Sequence, residues 1–294
     1  MPMTDRRRFL MGGALAAAGA TLAGGTSAED AAPARAVLRL SSQDNIIPGA
    51  DLKAKVAKME EWGFDGLEVH GGNLRNRVAE IEAVLQGSRL KMSAICAGYQ
   101  GCLISEQESE RQKAVATIRE ILPAAGELGA TGLIVVPAFN NQTKLSNKEA
   151  RPILIDLLRR LGDDAQKAGT RILLEPLNRR EAFFLRQLAD AAAICRDVNH
   201  PAICMMGDFY HMAIEETSDR GAFLSAGKYL HHVHLASRTR KLPGQDARSF
   251  VDGFRGLKEI GYRDFCSLEC GVQGDREVEI PKSVKFLRRQ WEEA

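Results

Sequence analysis

Arg171-Ile172-Leu173-Leu174-Glu175 is a short apolar run that closes on a carboxylate. The same form recurs downstream. Ala202 to Asp208 ends on an acid, His232 to Leu235 carries His234, and Phe265 to Cys270 carries Glu269. Upstream lie four more runs of the same length class: Ala36 to Leu40, Gly66 to Val69, Lys91 to Cys96 and Gly132 to Val136. Runs rich in Leu and β-branched residues suit parallel strands covered on both faces. Helical stretches separate them. In one, Val115, Ile118, Ile121, Leu122, Ala125 and Leu128 repeat at i, i+3, i+4 spacing. Ser105 with Glu108, and Ser146 with Glu149, have the spacing of capping boxes, and Pro123 predicts a kink. Eight such strand–helix units predict one (β/α)8 barrel, a fold of usually about 250 residues. An open nucleotide-binding sheet would want a glycine-rich loop after its first strand, where Ser41-Ser42-Gln43-Asp44 stands instead.

Composition agrees with a globular chain. Of 294 residues, 45% are hydrophobic and 27% charged, which argues against a disordered or polytopic membrane protein. A formal net charge of +2 offers no field for a nucleic-acid partner. The six cysteines form no C-x-x-C pair, and several lie in strand-like runs, so free thiols are expected.

The first residues carry an address. Asp5-Arg6-Arg7-Arg8-Phe9-Leu10 is a twin-arginine pattern, followed by an apolar Ala/Gly run and by Thr26-Ser27-Ala28, a small-residue cleavage site. Residues 1–28 are therefore expected to be a twin-arginine signal peptide and residues 29–294 the barrel. The expected location is the periplasm or the medium. The run is too short and glycine-rich for a stable membrane anchor.

In a barrel, the C-terminal ends of the strands surround one mouth. Strands five to eight bring Glu175, Asp208, His234 and Glu269 there. Three carboxylates beside one imidazole would cost several kcal/mol to bury unpaired. One divalent cation resolves this with mixed oxygen and nitrogen ligands. The competing account pairs each acid with a base such as Arg171, Arg179 or Arg240. His70 ends strand two with Glu68 two residues before it, and both are candidate substrate contacts at the mouth. The loop Arg238-Thr239-Arg240-Lys241 is basic, and either grips an anionic group or is simply solvated.

Glu175-Pro176-Leu177-Asn178-Arg179, then Gly207-Asp208-Phe209-Tyr210-His211, then His232-Val233-His234 and Ser267-Leu268-Glu269, together resemble the xylose-isomerase-like TIM-barrel superfamily, above all its ketose 3-epimerase and hydroxypyruvate-isomerase branch. The resemblance implies that Glu175, Asp208, His234 and Glu269 bind one metal ion, manganese, magnesium or cobalt before zinc. It also implies that Glu175 and Glu269 form an acid/base pair on opposite faces of a carbohydrate substrate, with His211 and Arg240 as substrate contacts. The implied reaction is isomerisation or epimerisation: a proton α to a carbonyl is removed, an enediolate forms, and the proton is returned. Ser237 and Gly244-Gln245-Asp246 depart from the pattern after strand seven and leave the substrate open.

Two other functions are compatible. An exported 3-keto-glycoside 1,2-lyase or hydratase would use the same site with a departing group, and a non-catalytic sugar-binding barrel would need no acid/base pair. The superfamily's three-zinc endonuclease needs further His and Asp ligands, where this chain has Cys96 and Arg238-Thr239-Arg240. A homo-oligomer is compatible with all of these readings.

Overall fold

The computed structural model describes residues 35–294. The expected signal peptide lies outside the described residues. Eight strands close in sequence order into a parallel barrel. They are β1 (Arg39–Gln43), β2 (Gly66–His70), β3 (Lys91–Cys96), β4 (Leu133–Val135), β5 (Ile172–Leu174), β6 (Ile203–Asp208), β7 (Leu230–Leu235) and β8 (Phe265–Leu268). The ring closes where Leu40 pairs with Cys266 and Ser41 with Ser267.

Helices form the outer layer: α1 (Leu52–Trp62), α2 (Leu74–Gln86), α3 (Glu108–Glu127), α4 (Asn147–Lys167), α5 (Leu188–Val198), α6 (Phe209–Glu215), α7 (Asp219–Ala226), α8 (Val251–Glu259) and α9 (Arg276–Glu293). Their ends follow local chemistry. Asp51 caps α1 by accepting the Ala54 N–H at 2.8 Å, and Gly63 ends it at φ 86, a left-handed turn that glycine adopts without a Cβ penalty. The Glu149 carboxylate accepts the Ser146 N–H at 2.9 Å, so the second capping box forms at the start of α4.

Two expectations change. The first strand begins at Arg39 rather than Ala36, because its ladder to β2 and β8 runs through Ser41 and Ser42. The first capping box does not form: Ser105 accepts from the Gln107 N–H at 3.1 Å in the preceding loop, and α3 starts at Glu108 itself. Pro123 lies inside α3, which continues to Glu127.

The barrel interior has two halves. Ala94, Ile134, Leu173, Cys204 and Met206 pack together on the β3–β6 side. On the other side Ser41, Glu68, His232, His234 and Ser267 are wholly buried. Glu68 touches His232 and His234 although β2 and β7 are not neighbours, so these side chains meet across the interior. The polar half sits beneath the mouth and decides what the site can hold. All six cysteines are free thiols. No described helix is long and apolar enough to cross a membrane.

Candidate active site

Each of the four strand-end residues is positioned by the ladder. Glu175 and Glu269 stand one residue beyond β5 and β8. Their N–H groups still bond the preceding strand, to Val135 O at 3.1 Å and Leu235 O at 3.4 Å. Asp208 is both the last residue of β6 and the N-cap of α6, where its Oδ1 accepts the Tyr210 N–H at 2.7 Å. That bond turns Oδ2 the other way, into the interior, where it has no hydrogen-bond partner among the described residues. Burial, reinforced by Glu269, pushes the Asp208 carboxyl up to about 8. Burial raises Glu175 as well.

His234 is fully buried in β7. Its Nε2 faces Glu68 Oε1 at 3.1 Å. Its Nδ1 has no hydrogen-bond partner among the described residues and lies 3.7 Å from Glu175 Oε1 and 3.6 Å from Glu269 Oε2. Ligand atoms of Glu175, Asp208 and His234 all lie within 4.8 Å of one another. The cluster of Glu175, Asp208 and His234 thus holds two buried polar atoms without partners among the described residues, and Glu269 adjoins it through His234. This donor set, oxygen-rich with one imidazole, fits a divalent cation. Glu68, His232 and His234 form a second cluster of the same compactness. There the imidazole nitrogens that face the carboxylate are already within hydrogen-bond distance of it, which makes that cluster less suited to an ion.

His211 on α6 is neutral: burial, followed by Arg240, lowers its pKa to about 3. The Asn178 backbone N–H, an obligate donor, points at His211 Nδ1 at 3.0 Å. Nδ1 must then accept, and the ring proton sits on Nε2, which lies 3.5 Å from Asp208 Oδ2 without a hydrogen bond. His211 thus offers one N–H beside the candidate metal site, suited to a substrate oxygen.

Arg240 reaches the site with its side chain 38% exposed. Its Nη2 lies 3.0 Å from Glu269 Oε2 and its Nη1 3.3 Å from Glu181 Oε1, with the guanidinium 4.9 Å above the Tyr210 ring. Of the two remaining candidate substrate contacts, His70 is on the exposed rim, where its Nδ1 accepts the Gly72 N–H at 3.0 Å. Glu68 is wholly buried below His234. It accepts from Gln43 Nε2 at 2.9 Å and pairs with His232 Nε2 at 2.8 Å. Its two oxygens are engaged by Gln43, His232 and His234.

Gln43, Asn178, Glu181 and His232 were given no role from the sequence. Glu181 had a usable signal, lying six residues beyond Glu175 on the same mouth loop. Gln43 ends β1 and had none, because a lone amide at a strand end is ordinary.

A barrel whose last four strands converge on three carboxylates and an imidazole defines a class, and the family model for the xylose isomerase-like TIM barrel matches residues 56–290. The chain belongs to that family. It is 29% identical over 260 residues to 3-dehydro-D-guloside 4-epimerase of Escherichia coli, covering 85% of this chain and 99% of that protein. It is 27% identical over 233 residues to D-psicose 3-epimerase of Ruminiclostridium cellulolyticum, covering 75% of this chain and 78% of that one. The crystal structure of an E. coli 3-keto-D-glucoside 4-epimerase superposes with a TM-score of 0.80 at 29% identity, over 86% of this chain and 100% of that one. These relatives are epimerases that act on sugars, and the chain is an enzyme of the isomerase/epimerase type.

Proposed function

We propose that this protein is a divalent-metal-dependent sugar epimerase, with Glu175, Asp208, His234 and Glu269 as ligands and Glu175 and Glu269 as the acid/base pair. The observation that carries the reading is the cluster of Glu175, Asp208 and His234 ligand atoms within 4.8 Å of one another, in which Asp208 Oδ2 and His234 Nδ1 are buried without hydrogen-bond partners among the described residues. When bound there, a divalent ion supplies Lewis acidity to a substrate carbonyl, which makes the neighbouring C–H acidic. One glutamate takes that proton. The other returns one to the opposite face of the same carbon, which inverts it. His211 Nε2–H and the Arg240 guanidinium orient substrate oxygens.

A 3-keto-glycoside is the substrate class we favour, since the relatives similar over 85% and 86% of the chain are named for such compounds. Its C3 carbonyl acidifies C4–H for epimerisation. The same carbonyl acidifies C2–H, next to the glycosidic C1, so elimination is the second reading. The twin-arginine pattern of residues 5–10 supports this second reading, because breakdown of glycosides is a natural task for an exported enzyme. We read residues 1–28 as the export signal on the same grounds.

The test is solvent exchange in deuterium oxide with a 3-keto-glucoside and Mn²⁺. The wild-type enzyme is expected to place deuterium at the inverted carbon. Glu175→Gln and Glu269→Gln are each expected to abolish exchange while retaining the circular dichroism of the wild type. Chelation is expected to abolish it in the wild type and Mn²⁺ to restore it. Release of the aglycone in place of an epimer would move the assignment to elimination. Normal exchange in both variants would end the reading.

A further inference from the structure

We infer that Glu68 is a positioning residue for the candidate metal site, one that holds His234 with Nδ1 turned toward Glu175, Asp208 and Glu269; this rests on the metal reading above. Glu68 lies on β2, across the interior from His234, and is wholly buried. A carboxylate in that position costs several kcal/mol unless its oxygens are filled. They are filled by specific donors. Oε1 takes Gln43 Nε2 at 2.9 Å and His234 Nε2 at 3.1 Å. Oε2 takes His232 Nε2 at 2.8 Å and lies 3.3 Å from His234 Nε2.

The geometry has three consequences. First, a carboxylate accepts only, so each imidazole facing it must carry its proton on Nε2. In the neutral imidazole this leaves the lone pair on His234 Nδ1, on the far side of the ring, able to bind a cation once any proton there is displaced. Second, His232 pins the second carboxylate oxygen, with the two imidazole rings packed edge to face at 5.1 Å and 85°. Glu68 therefore has little freedom to swing away from His234. Third, the amide nitrogen of Gln43 that bonds Glu68 also approaches Glu269 Oε1 at 3.4 Å. One amide links the support of His234 to the ligand on the neighbouring strand, and Glu269 continues to Arg240 at 3.0 Å. Ligands contributed by β7 and by the end of β8 are thus aligned from β1 and β2, which supply no ligand of their own. A carboxylate hydrogen-bonded to the far nitrogen of a ligating imidazole also makes that imidazole a stronger base.

The experiment titrates the chelator-treated full-length protein with Mn²⁺ alone, by calorimetry, in the wild type, Glu68→Gln and Gln43→Leu. The wild type is expected to bind one equivalent. Glu68→Gln keeps the shape and one acceptor, and is expected to weaken Mn²⁺ about 10- to 100-fold, with its circular dichroism unchanged. Gln43→Leu is expected to weaken it less. A second measurement needs no variant. Nitrogen-15 NMR of the wild type loaded with Mg²⁺ is expected to show His232 and His234 both protonated on Nε2, with those protons shielded from exchange.

Equal Mn²⁺ affinity in the wild type and a folded Glu68→Gln would overturn the assignment, as would a His234 proton on Nδ1. Two equivalents in the wild type, with the second lost in Glu68→Gln, would also overturn it by making Glu68 a ligand. No Mn²⁺ binding by the wild type would remove the metal reading itself, together with this inference. Should Glu68→Gln fail to fold, the NMR measurement still decides.

Discussion

Arg240 Nη2 lies 3.0 Å from Glu269 Oε2, and it reaches there from a backbone held at φ 55. A non-glycine residue in the left-handed region carries about 1–3 kcal/mol of strain. The turn that imposes it is fixed at both ends: Ser237 N–H donates to Lys241 O at 2.9 Å and Arg240 N–H to Ser237 O at 3.0 Å. The guanidinium spans two carboxylates, Glu269 and Glu181, which a lysine ammonium cannot do with one planar fork. Arg240→Lys is expected to lower kcat/KM roughly 100-fold, about 2.7 kcal/mol, at near-normal thermal stability. Steady-state kinetics with a 3-keto-glucoside checks it. A loss below threefold would show that charge alone suffices there.

Away from the mouth, His231 Nδ1 is 2.7 Å from Asp264 Oδ2. Burial works against a charge on this imidazole, but the bond to Asp264 outweighs it and holds the pKa up at about 9, above the ordinary 6.5. A pKa raised on folding stabilises the native state fully below the unfolded value and loses that contribution as pH rises through the folded one. Between pH 6.5 and pH 9 and beyond, the wild type is expected to lose roughly 2 kcal/mol, allowing for screening by solvent. Asp264→Asn is expected to flatten this slope. Urea unfolding at pH 6, 7.5, 9 and 10 measures both.

Gly126 sits inside α3, where alanine ordinarily gains about 1 kcal/mol over glycine. Here the sign reverses. A Cβ at Gly126 would overlap the carbonyl oxygen of Ala168, at the end of α4, and a backbone atom cannot rotate out of the way. Gly126→Ala is expected to destabilise by about 3 kcal/mol and to lower Tm by roughly 6–12 °C. A thermal melt that rises instead would mean that the two helix ends separate freely.

What the chain shows before folding follows from where polarity is useful. Strands β4 to β6 are covered on both faces and lean on apolar neighbours, so they read plainly, as do the acids that terminate the runs around them. β1 misled because its inward residues, Ser41 and Gln43, serve the polar half of the interior; hydrophobicity alone moves the strand toward Ala36. Glu68 was legible as a strand residue near the mouth but not as a support, since that role depends on His232 and His234, far along the chain and on the opposite wall. Ser105 and Glu108 had the right spacing for a capping box, yet the loop spent the serine one turn early on Gln107. His211, by contrast, falls three residues after Asp208 on α6, and that short separation brings it to the candidate metal site.

Because the barrel closes by pairing β8 with β1, and Gln43 reaches Glu269 across that seam, the candidate pocket has no local precursor in the polypeptide. A nascent chain still inside the ribosome's exit tunnel would lack both its final carboxylate and the seam that orients it. On the metal reading proposed above, binding of a divalent ion would report completed synthesis and ring closure at once.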